Sequence, residues 1–320
     1  MIVRDWRNAD AALLRACYAR EQRAWQHDLS WDTTWTWATV EQARVSWGLP
    51  GLLAFDDDGA VQGWAFCMPE NGRQHVGGLV ASSQLATAAL LDAILENQAA
   101  DVDISCFIRN RAPGLIHALH ARGFEVERFE YLSRPLAPAD ARHASAFAAE
   151  NAWVDADFPG AAALLRASYS SEAGRHFAPG GTVVEWVRYL SGVVHQAGCG
   201  QLDRVATRVS RDEYGLQGLA LITSISGKTA HLAQLAVHPD ARGCGVAMRL
   251  LREALSCAAQ EGRSAMTLLV GEHNETARRL YASLGFTERG MFVAATRGRA
   301  TSASAHQPAP DRELLSQPVC

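Results

Sequence analysis

Apolar residues along this chain recur at helical spacing in some stretches and are bounded as strands in others, and the two alternate. Thr229 to Val237 reads as a strand. After a short loop, Val246, Leu250, Leu251, Ala254, Leu255 and Ala258 return every three to four positions, the period of a helix with one buried face. Ala265 to Val270 reads as a second strand and Asn274 to Leu284 as a second helix. That helix has Asn274 at its cap, an apolar stripe of Ala277, Leu280, Tyr281 and Leu284, and Gly285 as its stop.

The pattern is used twice. Ala11-Ala-Leu-Leu-Arg-Ala-Cys-Tyr18 returns as Ala162-Ala-Leu-Leu-Arg-Ala-Ser-Tyr169, at an offset of 151. Val61-Gln-Gly-Trp-Ala65 returns as Leu216-Gln-Gly-Leu-Ala220, at 155, and Gly123-Phe124 as Gly285-Phe286, at 162. Offsets that grow in one direction mean one order of elements repeated with small insertions, and hence two tandem domains of one fold. The expected division is a first domain over 1–136, an Ala-rich linker over 137–150, a second domain over 151–299 and an aperiodic Ala, Ser and Pro-rich tail over 300–320.

Between the strand ending at Val237 and the helix opening at Val246 lie Gly243 and Gly245. Glycines there let backbone N–H groups turn inward with no Cβ in the way, and amides curled at a helix N-terminus suit a pyrophosphate. A glycine pair alone would equally suit a tight strand-to-helix turn. The wider pattern is more specific. Arg242-Gly-Cys-Gly-Val-Ala247 matches the R/Q-x-x-G-x-G/A signature of the GNAT acyltransferase superfamily, and Asn274-Glu-Thr-Ala-Arg-Arg-Leu-Tyr-Ala-Ser-Leu-Gly-Phe286 resembles its second signature, N-x-x-A-x-x-x-Y-x-x-x-G-F. The resemblance implies an α/β (α+β) chain of two tandem folds, each a mixed, mostly antiparallel, splayed sheet flanked by helices. It also implies acetyl-CoA as co-substrate, held by Leu235, Ala236 and Val237, by the loop from Arg242 through Gly243, Cys244, Gly245, Val246 and Ala247 to Met248, and by Asn274 and Tyr281.

The first copy lacks these features. Aligning the two helices sets Ser82-Ser-Gln-Leu-Ala-Thr87 opposite Arg242 to Ala247, and no glycine remains. Leu119 takes the place of Tyr281 and Ala112 that of Asn274. The first domain is therefore expected to be empty of cofactor and structural in role. Its tryptophans between Trp25 and Trp47, with Trp31, Trp35 and Trp37 among them, read either as a lid over the acceptor or as packing.

Composition narrows the classes. A formal charge of −4 over 320 residues and a pI near 6.3 give no electrostatic footprint for nucleic acid. No run has the length of a membrane span, and Met1-Ile-Val-Arg-Asp-Trp6 lacks the layout of a signal peptide, so no membrane partner and a cytoplasmic location are expected. Seven cysteines without a CxxC pair read as scattered thiols, and no metal is expected.

Acyl transfer to an amine needs a polarised carbonyl, a deprotonated amine and a proton for the departing thiolate. By resemblance, the strand before the loop splays from its neighbour, the Leu235 N–H faces the thioester carbonyl, and Val237 pairs with the pantetheine arm. Tyr281 is the family-matched acid, a phenol of pKa about 10 close enough to a thiol of about 8.5 for proton transfer; its other reading is helix packing. Ala230-His-Leu-Ala-Gln-Leu-Ala-Val-His238 is similar to the same strand in aralkylamine acetyltransferases, with His231 retained and Ala233 in place of a second histidine. Period-two alternation puts His231, Ala233 and Leu235 on one face, which makes His231 the candidate base, or else a core histidine. His238 reads as structural. Glu172, Arg175 and His176 are candidates for contact with a small-molecule amine acceptor. The tandem layout also resembles that of mycothiol synthase, which acts on a cysteinyl sugar, and a non-catalytic acyl-CoA-binding sensor is the reading from a different class.

Overall fold

A computed structural model describes residues 1–70, 73–97, 102–141, 151–169, 177–178, 180–196 and 199–298. The expected tail, most of the linker, and Glu172, Arg175 and His176 lie outside the described residues. The chain divides into two compact units, each with both parallel and antiparallel strand pairs and with helices packed on them.

In the first unit, β1 (Ile2–Asp5), β2 (Gly51–Phe55), β3 (Val61–Glu70) and β4 (Arg73–Ala81) run antiparallel in order, and β5 (Ile104–Arg109) lies parallel to β4. Helices α1 (Ala11–Leu29) and α2 (Thr34–Trp47) bring Leu14, Tyr18, Trp37 and Val40 against Trp6, Leu53, Trp64 and Phe66 of the sheet. Helices α3 (Gln84–Glu96) and α4 (Leu115–His120) bury Leu90, Leu91, Leu115 and Leu119 against Ala65, Val76 and Ile104.

The second unit repeats the order with α5 (Phe158–Ser168), α6 (Val183–His195), the short β7 (Gln201–Leu202), β8 (Arg208–Asp212), β9 (Gly215–Ser226), β10 (Thr229–Val237), α7 (Val246–Gln260), β11 (Ala265–Gly271) and α8 (Glu275–Ser283). Strands β8, β9 and β10 are antiparallel, and β10 is parallel to β11. The strands and helices expected around the glycine loop are therefore present, with ends shifted by at most a residue.

The division between units is not the pair of continuous segments read from the sequence. Strand β6 (Glu125–Pro135) belongs to the first unit only as far as Phe129, and from Glu130 it serves the second, where it adjoins β11 and Leu136 N–H donates to Ser264 O at 2.8 Å. Strand β12 (Thr287–Arg297) does the reverse, and from Gly290 it belongs to the first unit, where Phe292 to Arg297 pair antiparallel with β5. Asp28–Trp31 also belongs to the second unit. Each sheet is thus closed by a strand from the other half of the chain, which an alternating pattern cannot reveal because it carries no record of its partner.

Glycine explains one of the repeated dipeptides. A Cβ on Gly63 would lie 3.0 Å from Leu90 Cδ1, and on Gly218 2.9 Å from Leu250 Cδ1, so in both units a bare backbone lets the following helix sit close on the sheet. No helix among the described residues is long and apolar enough to cross a membrane.

Candidate active site

Strand β10 is where the second unit departs from regular alternation. Against β9, Leu232 pairs with Ile222 but Gln234 pairs with Leu221, leaving Ala233 as an extra residue, a β-bulge. A bulge reverses which face the later side chains take. Leu232 and Leu235 consequently pack on the same side, with α7 and α8, whereas Ala233 and Ala236 pack with α5 and α6. Parallel pairing with β11 stops at Leu232–Leu268, just before the bulge. From there to Val237 the two strands diverge, as the family resemblance implies.

A cleft of about 340 Å³ opens at this divergence. Leu235, Ala236 and Val237 form one side, Arg242, Gly243, Gly245, Val246, Ala247 and Met248 the loop side, and Asn274 the entrance to α8. Ten of the twelve residues expected around a cofactor are brought together. The other two are not in its lining. Cys244 is exposed on the loop, and Tyr281 is fully buried one helical turn beyond Ala277, with its ring edge-on to Phe286 at 5.7 Å.

The loop is built for an anion. Gly243 and Gly245 both have φ +76°, a left-handed conformation open to glycine at little cost, and a Cβ on either would project into open space. Gly245 is the N-cap of α7 and has no side chain to satisfy the helix. The first-turn N–H groups of Val246, Ala247 and Met248 have no intrahelical acceptor and meet no other protein acceptor among the described residues. An exposed helix N-terminus of this kind carries the positive end of the helix dipole, so the residues present fit a pyrophosphate. Arg242 does not turn its side chain to that role: Nη2 donates to Ser168 O at 2.7 Å, fixing the loop to the end of α5. At the other wall, Asn274 Oδ1 accepts from Ala277 N–H at 3.1 Å, the cap expected from the sequence.

His231 is not where alternation puts it. It lies before the bulge, on the face opposite Leu235, and is fully buried. Its Nδ1 is 2.9 Å from Thr267 Oγ1, and its ring lies against Trp31 at 5.2 Å and parallel to Tyr131 at 6.2 Å. Burial lowers its pKa to about 3. A buried neutral imidazole facing away from the cleft fits the core-histidine reading, and its lowered pKa does not suit a base for an alkylammonium of pKa about 10. The first unit supports the same reading: His75, the counterpart in β4, pairs Nδ1 with Ser105 Oγ at 3.1 Å in a copy that has lost the loop. The His238 backbone N–H donates to Gln217 O at 2.9 Å.

Sequence reasoning missed Ser168, Thr276 and Leu280 in the lining of the cleft. Thr276 and Leu280 were accessible from the helical period of α8. Ser168, whose Oγ donates to Val237 O at 3.1 Å, comes from the far end of α5 and had no local signal. Also unforeseen is Gln234, fully buried, with Oε1 accepting from Tyr169 Oη and Nε2 donating to Tyr189 Oη at 2.5 Å. Three of these tryptophans serve packing in different places, and a fourth does not. Trp37 is in the first unit's core, Trp25 lies on Phe292, Trp31 covers His231, and Trp35 is 78% exposed.

Residues 178–286 match the model of the acetyltransferase (GNAT) family. Among solved structures, a GCN5-related N-acetyltransferase from Sphaerobacter thermophilus is similar over 95% of this chain and 97% of its own, at TM-score 0.59 and 15% identity. A GNAT-family acetyltransferase from Colwellia psychrerythraea is similar over 92% and 99%, at TM-score 0.50 and 12% identity. A glucosamine N-acetyltransferase region of a fungal multi-domain GH3 beta-N-acetylglucosaminidase matches over 92% of this chain and 38% of that one, at TM-score 0.52 and 16% identity. At these identities the likeness is one of fold. No curated protein matches the chain in sequence.

Proposed function

We propose, from the match of residues 178–286 to the acetyltransferase (GNAT) family model, that this chain transfers an acetyl group from acetyl-CoA to the amine of a small molecule by direct attack. The observation that carries the reading is the uncapped N-terminus of α7 in one cleft with the end of β10, where its pairing to β11 has stopped. Acetyl-CoA, when bound, supplies an activated acetyl thioester. The amides of Val246, Ala247 and Met248 hold its pyrophosphate, and the diverging edge of β10 from Leu235 to Val237 takes the pantetheine arm, with the Leu235 N–H as donor to the carbonyl.

In the balanced reaction a C–N bond forms, a C–S bond breaks, the nitrogen of the neutral amine loses one proton and the thiolate gains one. Tyr281 is assigned the proton for the thiolate. It stands one turn along α8 from Ala277, which lines the cleft. Among the described residues the cleft lining holds no carboxylate and no histidine. The amine therefore enters neutral and its proton leaves through water. With an acceptor of pKa about 10, kcat/KM rises close to tenfold per pH unit between pH 7 and 9, following the neutral fraction.

The test is a free-thiol assay over a panel of small amines, with calorimetric titration of acetyl-CoA. One site per chain and amine-dependent thiol release are expected. Tyr281→Phe is expected to lower kcat about a hundredfold with acetyl-CoA affinity kept. Binding without turnover of any amine would favour the sensor reading, and an unchanged kcat in Tyr281→Phe would remove the tyrosine from the mechanism.

A further inference from the structure

The residue that follows the bulge in β10 is a fully buried amide, Gln234. Burying an amide costs stability unless its donor and its acceptor are both met. Here both are. Oε1 accepts from Tyr169 Oη at the C-terminal cap of α5, and Nε2 donates to Tyr189 Oη of α6 at 2.5 Å. The Tyr169 ring lies 4.7 Å from Trp186 and the Tyr189 ring is edge-on to the same indole at 5.9 Å, which holds both hydroxyls in place. The same end of α5 meets the strand and the loop at two more points. Ser168 Oγ donates to Val237 O at 3.1 Å, and Ser168 O accepts from Arg242 Nη2 at 2.7 Å. Two adjacent residues thus tie the bulge, the end of β10 and the glycine loop to one helix end.

A bulge alone needs none of this. In the first unit β4 carries one at Gly77: against β3, Phe66 pairs with Gly78 and Cys67 with Val76. Parallel pairing of β4 with β5 runs from Gln74 to Val76 and ends there. The residue after that bulge is Gly78, and the Phe66 ring packs so close that a Cβ on either glycine would strike it. Apolar filling is therefore enough to hold a bulge in a strand that no glycine loop follows. The buried amide occurs in the strand that leads to the open helix end.

What the amide adds is direction. The Leu235 N–H belongs to the planar peptide unit that begins at the Gln234 carbonyl, so its orientation follows the torsion about the Gln234 Cα–C bond. Tying the Gln234 side chain at both ends leaves that torsion little freedom. A donor to a developing oxyanion acts at about 2.7–3.1 Å, and a displacement of about 1 Å costs it most of its effect. Gln234 itself is not in the lining of the cleft.

We infer that Gln234 is a positioning residue for acyl transfer: held by Tyr169 and Tyr189, it aims the Leu235 N–H at the thioester carbonyl without touching the co-substrate. The inference rests on the reading of the cleft proposed above.

The experiment compares the unaltered chain with Gln234→Met, and with Gln234→Met combined with Tyr169→Phe and Tyr189→Phe. The combined variant removes the polar groups together at nearly constant volume, which keeps the fold if the single variant loses it. Three quantities are read: kcat and KM in the free-thiol assay, calorimetric affinity for CoA, and the infrared carbonyl band of bound acetyl-CoA labelled with carbon-13 at the carbonyl. In the unaltered chain the band is expected to move to lower frequency on binding, because the carbonyl accepts a hydrogen bond. In both variants it is expected to return toward its free position. There kcat falls about tenfold to a hundredfold, with KM for acetyl-CoA and affinity for CoA within about threefold. Full kcat in the combined variant would overturn the inference, since the amide would then only fill space. Loss of CoA affinity in parallel with kcat would also overturn it, as the mark of a collapsed cleft. Binding of acetyl-CoA without turnover in the unaltered chain would defeat the proposed reaction alone, and the band would then decide: shifted there and not in the variants upholds the positioning role, and the same band in all three chains overturns it.

Discussion

Helices α3 and α7, one in each unit, both follow a bulged strand, yet their N-termini are finished in opposite ways. In the first, Ser83, in extended conformation, turns its hydroxyl onto Ala86 N–H and closes the helix from within. In the second, Gly245 sits at φ +76° with no side chain, and the first-turn amides are left for something outside the protein. A capped helix is the more stable by itself; an uncapped one keeps its dipole and donors for a ligand. Under the proposed function, one of these helix ends is scaffold and the other an anion site. The difference comes down to which atoms satisfy three or four amides.

The largest effect is expected from closing the second helix. Gly245→Val forces a β-branched residue into the left-handed region, at a cost of about 1–2 kcal/mol, and disturbs the amides that hold the pyrophosphate. Losing two charge-assisted hydrogen bonds of about 1.5 kcal/mol or more each lowers acetyl-CoA affinity at least a hundredfold by calorimetry. Unchanged affinity would mean that the open helix end is not the site.

The paired histidines sharpen the comparison next. His231 titrates near 6.5 when unfolded and at about 3 when folded, so the unfolded chain binds more protons between those values. Its contribution is therefore present above pH 6.5 and is lost as pH falls toward 3, by about 2 kcal/mol between pH 7 and pH 5. His231→Gln, which keeps a polar contact for Thr267, should flatten that part of the pH–stability curve measured by urea denaturation. It should also leave kcat within a few-fold. A hundredfold loss of kcat would return His231 to the chemistry.

The smallest effect is the reverse operation on the first helix. Ser83→Ala removes the cap and should destabilise the chain by about 1 kcal/mol in thermal unfolding, without creating an acetyl-CoA site. A second acetyl-CoA equivalent in that variant would show that the cap alone had closed the first copy.

Much of this was legible in the chain because it is local. Gly243 and Gly245, the Asn274 cap, the Gly285 stop and the apolar stripe of α7 depend on neighbours within a turn or two. Tyr281, an apolar-stripe residue with a functional alternative, was placed on its helix correctly, while its burial away from the cleft lining needed coordinates. Three features were decided only by tertiary structure. The bulge at Ala233 is a property of two strands counted against each other, and in a strand buried on both faces no polar alternation marks where parity changes. Ser168 reaches Val237 across 69 positions, and β6 and β12 each complete the other half's sheet, because strand pairing is satisfied by whichever edge is nearest in space. Sequence alone determined the chemistry of the loop; pairing between distant strands determined which side chains face it.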